Sequence, residues 1–179
     1  GGEPILQAEA VIEAAKLVKS YDLKVMLDTN GTVFNDVERI LRTGLIDRVA
    51  LDVKSPLSPD DFGRISQVPE MAENHVDSIK NTLRLCKELG ISVEARTTVA
   101  PEVSDSEEFI RQIVGDIHGL YEVYYLQQFD NKGDVPSPEL KLKAPPEKEG
   151  LIKLARAAIE EGSDNVYIKT RFDGLERGK

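Results

Sequence analysis

The stretch Arg48-Val49-Ala50-Leu51-Asp52-Val53-Lys54-Ser55 decides how the rest of the chain is interpreted. Its large apolar residues alternate with Ala50, Asp52 and Lys54, which is the period of a β-strand. This alternation puts Asp52 and Lys54 on one face, about 6–7 Å apart along the backbone. Because the flanks are helical and the rest of the strand is apolar, we predict a buried strand that presents an acid and a base as part of a site. The alternative is a solvated ion pair on an edge strand.

Composition limits the classes of protein that this chain can represent. Its 179 residues are enough for one domain with a sizeable core. The net charge of −9 argues against a nucleic-acid-binding surface, which needs clustered Lys and Arg, and against an anionic membrane surface. No apolar run approaches the ~18 residues of a membrane span, and from the opening residues we expect no signal peptide. The single cysteine, Cys86, excludes a disulfide framework and predicts a reducing cytoplasm.

Hydrophobic periodicity predicts helices and strands that alternate along the whole chain. The predicted helical segments are residues 5–20, a helix capped by Asn35 and Glu38, a short turn at 60–65, residues 72–89, a helix opened by the capping box Ser104-Asp105-Ser106-Glu107, and residues 146–161. The predicted strands are residues 23–28, 48–55, 91–99, 121–129 and 165–171. The polar loop 130–145 has the length of a functional or mobile segment.

The two ends of the chain predict its domain organisation. We expect residues 1–172 to form a single domain and residues 173–179 to be a frayed polar tail. The opening turn, Gly1-Gly2-Glu3-Pro4, leads directly into a helix. We therefore expect a strand upstream that is missing here, and an exposed sheet edge beside residue 1 that invites self-association.

The spacing of the strands predicts the fold class. Strands about 30–40 residues apart with helices between them are βα units, which favour parallel strands joined by right-handed crossovers. Two α/β architectures remain, a partial or full barrel and an open doubly wound sheet. Both place their chemistry at the C-terminal ends of the strands.

Polar residues gather at those strand ends, which predicts a concave polar site there. The residues are Asp28, Thr29 and Asn30 on the first strand, Asp52 and Lys54 on the second, Arg96, Thr97 and Thr98 on the third, Gln127 and Gln128 on the fourth, and Lys169 and Arg171 on the fifth.

Two of these polar residues, Asp28 and Arg96, each allow two interpretations. Asp28 and Asp52 occupy equivalent positions of consecutive predicted strands, so with the Thr29 hydroxyl they could share a hard cation. Alternatively, Asp28 caps a turn by accepting hydrogen bonds from nearby N–H groups. The planar guanidinium of Arg96 could clamp a carboxylate, or it could form a salt bridge with Glu94 or with a residue of a helix.

Five blocks of sequence carry a family resemblance through their order and spacing. The blocks are Gly1-Gly2-Glu3-Pro4, Leu27-Asp28-Thr29-Asn30-Gly31-Thr32, Ile46-Asp47-Arg48-Val49-Ala50-Leu51-Asp52-Val53-Lys54, Glu94-Ala95-Arg96-Thr97-Thr98-Val99 and Leu126-Gln127-Gln128-Phe129. Together they resemble the radical S-adenosylmethionine (SAM) superfamily. They are similar above all to the activating enzymes of glycyl-radical proteins, such as the anaerobic ribonucleoside-triphosphate reductase activating protein and the pyruvate formate-lyase activating enzyme.

The resemblance implies a fold, a reaction and a partner. The fold is a partial (β/α) TIM-like barrel that lacks its N-terminal βα unit or units. In this family a 4Fe-4S cluster reductively cleaves SAM, and the 5′-deoxyadenosyl radical abstracts hydrogen from a glycine of the partner. The partner is a glycyl-radical enzyme, of which anaerobic ribonucleotide reductase is one. The implied site residues are Gly1, Gly2 and Glu3 for the methionine ammonium, Asp52 and Lys54 for the methionine moiety and ribose, Arg96 near the methionine carboxylate, and Asp28, Thr29 and Asp52 for a monovalent cation.

One departure from the family pattern bears on activity. The family holds its cluster with three cysteines spaced C-x3-C-x2-C, whereas this chain has only Cys86, on a predicted helix. One cysteine cannot hold a cluster. We therefore expect the parent protein to be an enzyme and this chain to be inactive without the missing cluster loop.

Two other functions remain open. A cluster-free barrel or open-sheet enzyme, metal-assisted or with a Schiff base on Lys54, would need a lysine with a lowered pKa. The neighbouring Asp52 favours the charged ammonium and argues against the Schiff base. A non-catalytic docking module would use the loop 130–145 as its contact surface.

Overall fold

A computed structural model describes residues 2–132, 135 and 137–178, and its chain divides into two compact units. Unit 1 comprises Gly1–Asp52, Leu57–Ala95 and Gly119–Glu122, and unit 2 comprises Val53–Pro56, Arg96–His118 and Val123–Lys179. Gly1, which was predicted to bind the methionine ammonium, lies outside the described residues.

Helices and strands alternate as predicted from the periodicity. The helices are α1 Ala8–Lys19, α2 Phe34–Leu41, α3 Pro59–Ser66, α4 Ala72–Leu89, α5 Glu107–Ile117, α6 Pro138–Lys141 and α7 Lys148–Glu160, with short 3-10 turns at Pro4–Gln7 and Pro69–Met71. The strands are β1 Met26–Thr29, β2 Arg48–Asp52, β3 Ser92–Val99, β4 Val123–Gln128, β5 Val166–Thr170 and β6 Gly174–Arg177. None of the helices in the described part of the chain is long and apolar enough to span a membrane.

The strands follow one another in the sheet in chain order, from β1 to β6. The pairs β1–β2 and β4–β5 are parallel, and β6 runs antiparallel to β5. Doubly wound sheets reverse their strand order at a switch point, so this sequential order is that of the barrel class. The predicted α/β fold with parallel strands is therefore confirmed.

Each unit buries an apolar layer between its strands and helices. In unit 1, α2 packs against α4. Six side chains on these two helices are at most 2% exposed: Val37, Ile40, Leu41, Val76, Ile79 and Leu83. In unit 2, α7 packs against α5, β4 and β5, and its residues Leu151, Ala155 and Ala158 are fully buried. Burial of such side chains contributes roughly 1.5–3 kcal/mol each for the larger ones.

The predicted starts of two helices are wrong. Helix α2 begins at Phe34 with Val33 before it, so Asn35 lies inside the helix and does not cap it. Helix α5 is capped by Ser106, whose hydroxyl accepts a hydrogen bond from the Phe109 N–H. The hydroxyl of Ser104 instead accepts from the Ala100 N–H and donates to the Thr98 carbonyl, both at 2.8 Å, and thereby closes the turn after β3.

Two predictions about strands are also wrong. Strand β2 ends at Asp52, so Lys54 is an exposed residue beyond the strand and not the next residue on its face. The predicted frayed tail contains β6, which pairs with β5 in the register Tyr167↔Arg177 and Lys169↔Leu175. Backbone hydrogen bonding to β5 orders this polar segment although it has no apolar pattern of its own.

Candidate functional site

Along every strand, covered side chains alternate with side chains on the other face of the sheet, which we call the open face. Registers and contacts assign the open-face residues in each unit. In unit 1 they are Met26, Asp28, Arg48, Ala50, Asp52, Ser92 and Glu94. In unit 2 they are Arg96, Thr98, Tyr125, Gln127, Tyr167, Lys169, Leu175 and Arg177. The sequence predicted that polar residues gather at the C-terminal ends of the strands. In the structure, open-face polar residues instead occur along the whole length of the strands.

At the start of the strands in unit 1, an ionic network joins Arg48, Glu94 and Glu122, none of which was predicted as a site residue. The guanidinium of Arg48 lies 3.7 Å from a Glu94 carboxylate oxygen and 3.6 Å from that of Glu122. The Ser92 hydroxyl donates a hydrogen bond to the same Glu122 carboxylate. Glu94, which was considered as a partner of Arg96, thus has Arg48 as a neighbour. The network lies away from the strand ends that carry the predicted site residues.

Asp28 and Asp52 share the open face of unit 1, but they are not at equivalent positions. Asp28 lies opposite Ala50 in the parallel register, which places Asp52 two residues further along β2. Strand spacing and rise then put their Cα atoms roughly 8 Å apart. Both carboxylates are thus on the correct face to approach one ion, and the predicted cation site stays a prediction.

Glu3 is tied to the C-terminal end of β1, within unit 1. One carboxylate oxygen accepts a hydrogen bond from the Thr29 hydroxyl at 2.6 Å, and the other accepts from the Asn30 N–H at 2.9 Å. The Thr29 hydroxyl in turn accepts from the Gly31 N–H at 3.0 Å. A hydrogen bond from a hydroxyl to a carboxylate is charge-assisted and strong. The Gly2-Glu3 segment is thereby fastened to the strand end, with Gly2 in the positive-φ region at +112°.

We expect Thr29→Val to lower the free energy of unfolding by about 1–3 kcal/mol, because it leaves the buried Gly31 N–H without an acceptor. The Thr29 side chain is 2% exposed, so water cannot replace the hydroxyl there. Urea denaturation followed by circular dichroism measures the change. Thr98→Val, at an exposed position of β3, is the matched control and should change stability little. Equal effects of the two substitutions would contradict the assigned role of Thr29.

In unit 2, backbone hydrogen bonds hold Lys54 and Arg96 on neighbouring segments. The Val53 N–H donates to the Arg96 carbonyl at 2.8 Å, and the Thr97 hydroxyl donates to the Val53 carbonyl at 2.7 Å. Thr97 is fully buried and also accepts a hydrogen bond from the Tyr124 hydroxyl. Thr97, which was predicted as a site residue, therefore positions the backbone that carries the two cations.

Two further predicted site residues hold loops together in unit 2. The Gln128 amide donates to the Pro146 carbonyl at 2.8 Å, and its side-chain oxygen accepts from the Arg171 N–H at 2.9 Å. The Arg171 guanidinium donates to Asp130 at 3.0 Å. By contrast, Gln127 and Lys169 stand on the open face. The sequence pattern did not distinguish Gln128 and Arg171, which bind loops, from Gln127 and Lys169, which lie on the open face.

Cys86 has the properties of a core residue. It lies on α4 with none of its surface exposed, and burial raises the pKa of its thiol to about 12. Over the described residues, no group of three or more His, Cys, Asp or Glu side chains is placed to hold a metal ion.

Comparison with known proteins decides the family. Residues 1–113 match the family model of the Radical SAM superfamily, which is more than half of the chain. The chain belongs to the radical SAM superfamily. This confirms the resemblance that the five sequence blocks indicated.

Two relatives of this radical SAM chain are activating enzymes by name. A protein of Methanocaldococcus jannaschii, provisionally named as a glycyl-radical enzyme activating enzyme, is 37% identical over 172 residues, which is 95% of this chain and 68% of that protein. The pyruvate formate-lyase-activating enzyme of Clostridium pasteurianum is 30% identical over 69% of this chain and 48% of its own length. The chain thus spans about two thirds and about half of these two relatives.

A solved structure supports the fold class. A crystallised domain of a pyruvate-formate lyase-activating enzyme from Bacteroides vulgatus aligns with a TM-score of 0.67 over 94% of both chains, at 19% identity. At this identity the likeness concerns the fold alone. Together with the sequential strand order, it confirms the predicted partial radical SAM barrel class.

The residues of this radical SAM chain do not fit an iron–sulfur cluster but are of the kinds that SAM needs. A cluster requires several thiolates, and the one cysteine is buried with a raised pKa. SAM carries an ammonium, a carboxylate and a ribose diol. Unit 1 offers the oxygen acceptors of Gly2 and Asp52, and unit 2 offers the cations of Lys54 and Arg96.

Proposed function

We propose that this chain supplies the SAM-binding part of a radical SAM activating enzyme whose partner is a glycyl-radical enzyme. The proposal is carried by Glu3, whose carboxylate fastens the Gly2-Glu3 segment to the end of β1 through Thr29 and Asn30. The segment is thus held at the strand end where barrel enzymes place their chemistry. The two activating enzymes among the relatives support the choice of partner. Anaerobic ribonucleotide reductase is a candidate partner, and an anaerobic cytoplasm is the corresponding location.

The proposed contribution of the chain is to bind and orient the cofactor. Glu3 positions the backbone of Gly2, whose carbonyl accepts a hydrogen bond from the methionine ammonium, and Gly1 belongs to the same Gly1-Gly2-Glu3 motif by sequence. Asp52 binds the ammonium or the ribose diol through its carboxylate. Lys54 and Arg96 bind the methionine carboxylate and neighbouring oxygens, and the guanidinium can do so with two parallel hydrogen bonds.

The cation site belongs to the same proposal. Asp28 and Asp52 supply the carboxylates from the open face. The Thr29 side chain lies on the covered face opposite Leu51, where Glu3 and Gly31 hold its hydroxyl, and it is left out of the proposed ligand set. Hard oxygen ligands suit a group I or group II cation. SAM, when bound in this superfamily, is the source of the radical, and no residue of this chain is assigned a role in its reduction.

The exposure of Lys54 gives no support to the Schiff-base alternative. A Schiff-base lysine is activated by desolvation or by a neighbouring cation. Lys54 is exposed and lies two residues after Asp52. The activating-enzyme proposal is the one that the residues and the relatives favour together.

SAM binding by the 179-residue chain tests the proposal directly. We expect weak binding, with a Kd in the millimolar range or about −4 kcal/mol, because the cluster iron that would chelate the methionine group is not held by these residues. Saturation-transfer NMR and equilibrium dialysis measure it. Asp52→Ala and Lys54→Ala should each weaken binding by about tenfold, which is ~1.4 kcal/mol.

Two matched variants control for nonspecific charge effects. Asp77→Ala and Lys87→Ala remove exposed charges from α4 and should leave SAM affinity unchanged. The proposal is wrong if the chain shows no SAM signal at concentrations of ten times the expected Kd, or if the α4 variants weaken binding as much as the Asp52 and Lys54 variants.

A further inference from the structure

A buried hydrogen-bond relay in unit 2 runs from strand β4 to the segment that carries Lys54. The Tyr124 hydroxyl donates to the Thr97 hydroxyl at 2.8 Å, and the Thr97 hydroxyl donates to the Val53 carbonyl at 2.7 Å. All three residues of the relay are fully buried. Water therefore cannot take the place of either hydroxyl, and the loss of one would leave a buried polar atom without its partner.

Tyr124 is the polar exception in an apolar layer. On the same face of the sheet, Leu126, Val166 and Ile168 are at most 1% exposed and carry no polar atom. A tyrosine that is buried this deeply usually has a hydrogen-bond partner for its hydroxyl. Phenylalanine would fill nearly the same space without needing a partner, so the hydroxyl is the part of Tyr124 that packing does not explain.

The backbone is fixed on both sides of Lys54. The Lys54 side chain is exposed, whereas Val53 before it and Ser55 after it are fully buried. The Val53 N–H donates to the Arg96 carbonyl at 2.8 Å, and the Ser55 hydroxyl donates to the Pro56 carbonyl at 2.9 Å. The relay adds a bond to the Val53 carbonyl, so both polar backbone groups of Val53 are held by β3.

The Tyr124 hydroxyl sets the direction of the Thr97 hydroxyl. A threonine hydroxyl has one proton and two lone pairs, and its proton rotates to suit the surroundings. The proton from Tyr124 occupies one lone pair, which leaves the Thr97 proton directed at the Val53 carbonyl. Successive hydrogen bonds in a protein interior polarise and strengthen one another. Loss of the Tyr124 hydroxyl should therefore also weaken the bond between Thr97 and Val53.

We infer that Tyr124 is a positioning residue of the SAM site, acting through Thr97 on the backbone that carries Lys54 and Arg96. The inference rests on the proposed function, in which these two cations bind the methionine carboxylate, and it adds the group that holds their backbones together. Long charged side chains lose conformational freedom when they bind a ligand, and a backbone that is fixed beforehand reduces this cost. Tyr124 is buried and contributes without reaching the ligand.

Amide hydrogen exchange tests the positioning without any ligand. In Tyr124→Phe and in Thr97→Val, the Val53 amide should exchange about tenfold faster relative to the amides of Ile113 and Val114 in the buried part of α5. Thr97→Ser keeps the hydroxyl and should retain most of the protection. Two-dimensional NMR measures the rates residue by residue. The comparison with α5 separates local loosening from a general loss of stability, because both lie in unit 2.

SAM affinity, measured by equilibrium dialysis, tests the consequence for the site. Tyr124→Phe and Thr97→Val should each weaken binding by about threefold, and Thr97→Ser should change it by less than about twofold. Ser104→Ala is the matched control, since it removes another buried hydroxyl of unit 2, the one that closes the turn after β3. It should leave SAM affinity unchanged. Circular dichroism verifies that each variant is folded.

The outcomes distinguish this inference from the proposed function. Unchanged relative exchange at Val53 in Tyr124→Phe overturns the inference, whether or not the chain binds SAM. Faster exchange in a chain that binds no SAM supports the positioning of the backbone and contradicts the proposed function. If exchange is faster but Tyr124→Phe binds SAM as the unaltered chain does, or loses no more affinity than Ser104→Ala, Tyr124 has no role in the site.

Discussion

Anaerobic reconstitution of the 179-residue chain with ferrous iron and sulfide should yield no iron–sulfur cluster. Clusters are held by several cysteine thiolates, and the chain has one cysteine. Cys86 is fully buried, and its thiol has a pKa of about 12. At neutral pH it is protonated and cannot be reached by iron. After desalting we expect no bound iron and no visible absorption of a cluster, which an iron assay and a spectrum measure.

Two controls make the reconstitution result decisive. A radical SAM protein that carries the C-x3-C-x2-C motif, treated in parallel, shows that the chemistry worked. Cys86→Ala should behave as the unaltered chain does, because the thiol takes no part. A cluster in the unaltered chain that disappears in Cys86→Ala would show that Cys86 is a ligand and that its burial had been misjudged.

Gly31→Ala should be among the most destabilising single substitutions, at about 2–5 kcal/mol. Gly31 has a φ of +68°, and an ideal Cβ there would lie 2.8 Å from Leu51 Cδ1. The left-handed backbone costs a non-glycine residue roughly 1–2 kcal/mol, and overpacking of a core adds about 1–3 kcal/mol. The free energy of unfolding in urea measures the loss. A native domain has only about 5–15 kcal/mol in total.

Gly44→Ala separates the two causes. Gly44 has nearly the same φ, +71°, but a Cβ there would meet no atom within 4 Å. Gly44→Ala should therefore lower the free energy of unfolding only through the strained backbone conformation, by about 1–2 kcal/mol. Leu51→Val shortens the side chain that Gly31→Ala would contact, so the double variant should be less destabilised than the sum of the single variants. Equal losses for Gly31→Ala and Gly44→Ala would remove the contact with Leu51 from the explanation.

Local periodicity predicted the long elements well. Helix α4 has the predicted bounds, Ala72–Leu89, because a stripe of apolar residues three and four apart requires burial on one side. Gly90 ends it with a φ of +68°, the left-handed conformation that glycine adopts at helix ends. Such signals are contained within the element itself.

Boundaries that depend on side-chain hydrogen bonds were predicted less well. Ser104 and Ser106 both precede a helical pattern, and only the fold shows which hydroxyl caps α5 and which closes a turn. Asn35 resembles a cap, yet the turn before α2 is made by Asn30, whose side-chain oxygen accepts from the Thr32 N–H and hydroxyl. The choice among equivalent polar residues is made by tertiary position, which a local window does not contain.

In the candidate site, too, local sequence patterns predicted some features, whereas contacts between distant residues could not be predicted. Asp28, Asp52 and Arg96 could be assigned to the open face because alternation along a strand is readable. The bonds of Glu3 to Thr29 and Asn30 span 26 and 27 residues, and pattern reasoning has no means to pair residues at that separation. The same alternation also assigns Tyr125 and Tyr167 to the open face, since they precede the buried residues Leu126 and Ile168. These two residues lie away from the C-terminal ends of their strands, where the polar residues predicted a site.

The short antiparallel strand β6 also bears on the solubility of the protein. It stands at one end of the described strand order, beside the parallel strand β5. The unsatisfied backbone groups of a long apolar edge would recruit extended chains and begin aggregation. Here the edge is four residues long and includes Glu176 and Arg177. Charged side chains and short length are the means by which sheet proteins discourage edge-to-edge association, and β6 supplies both.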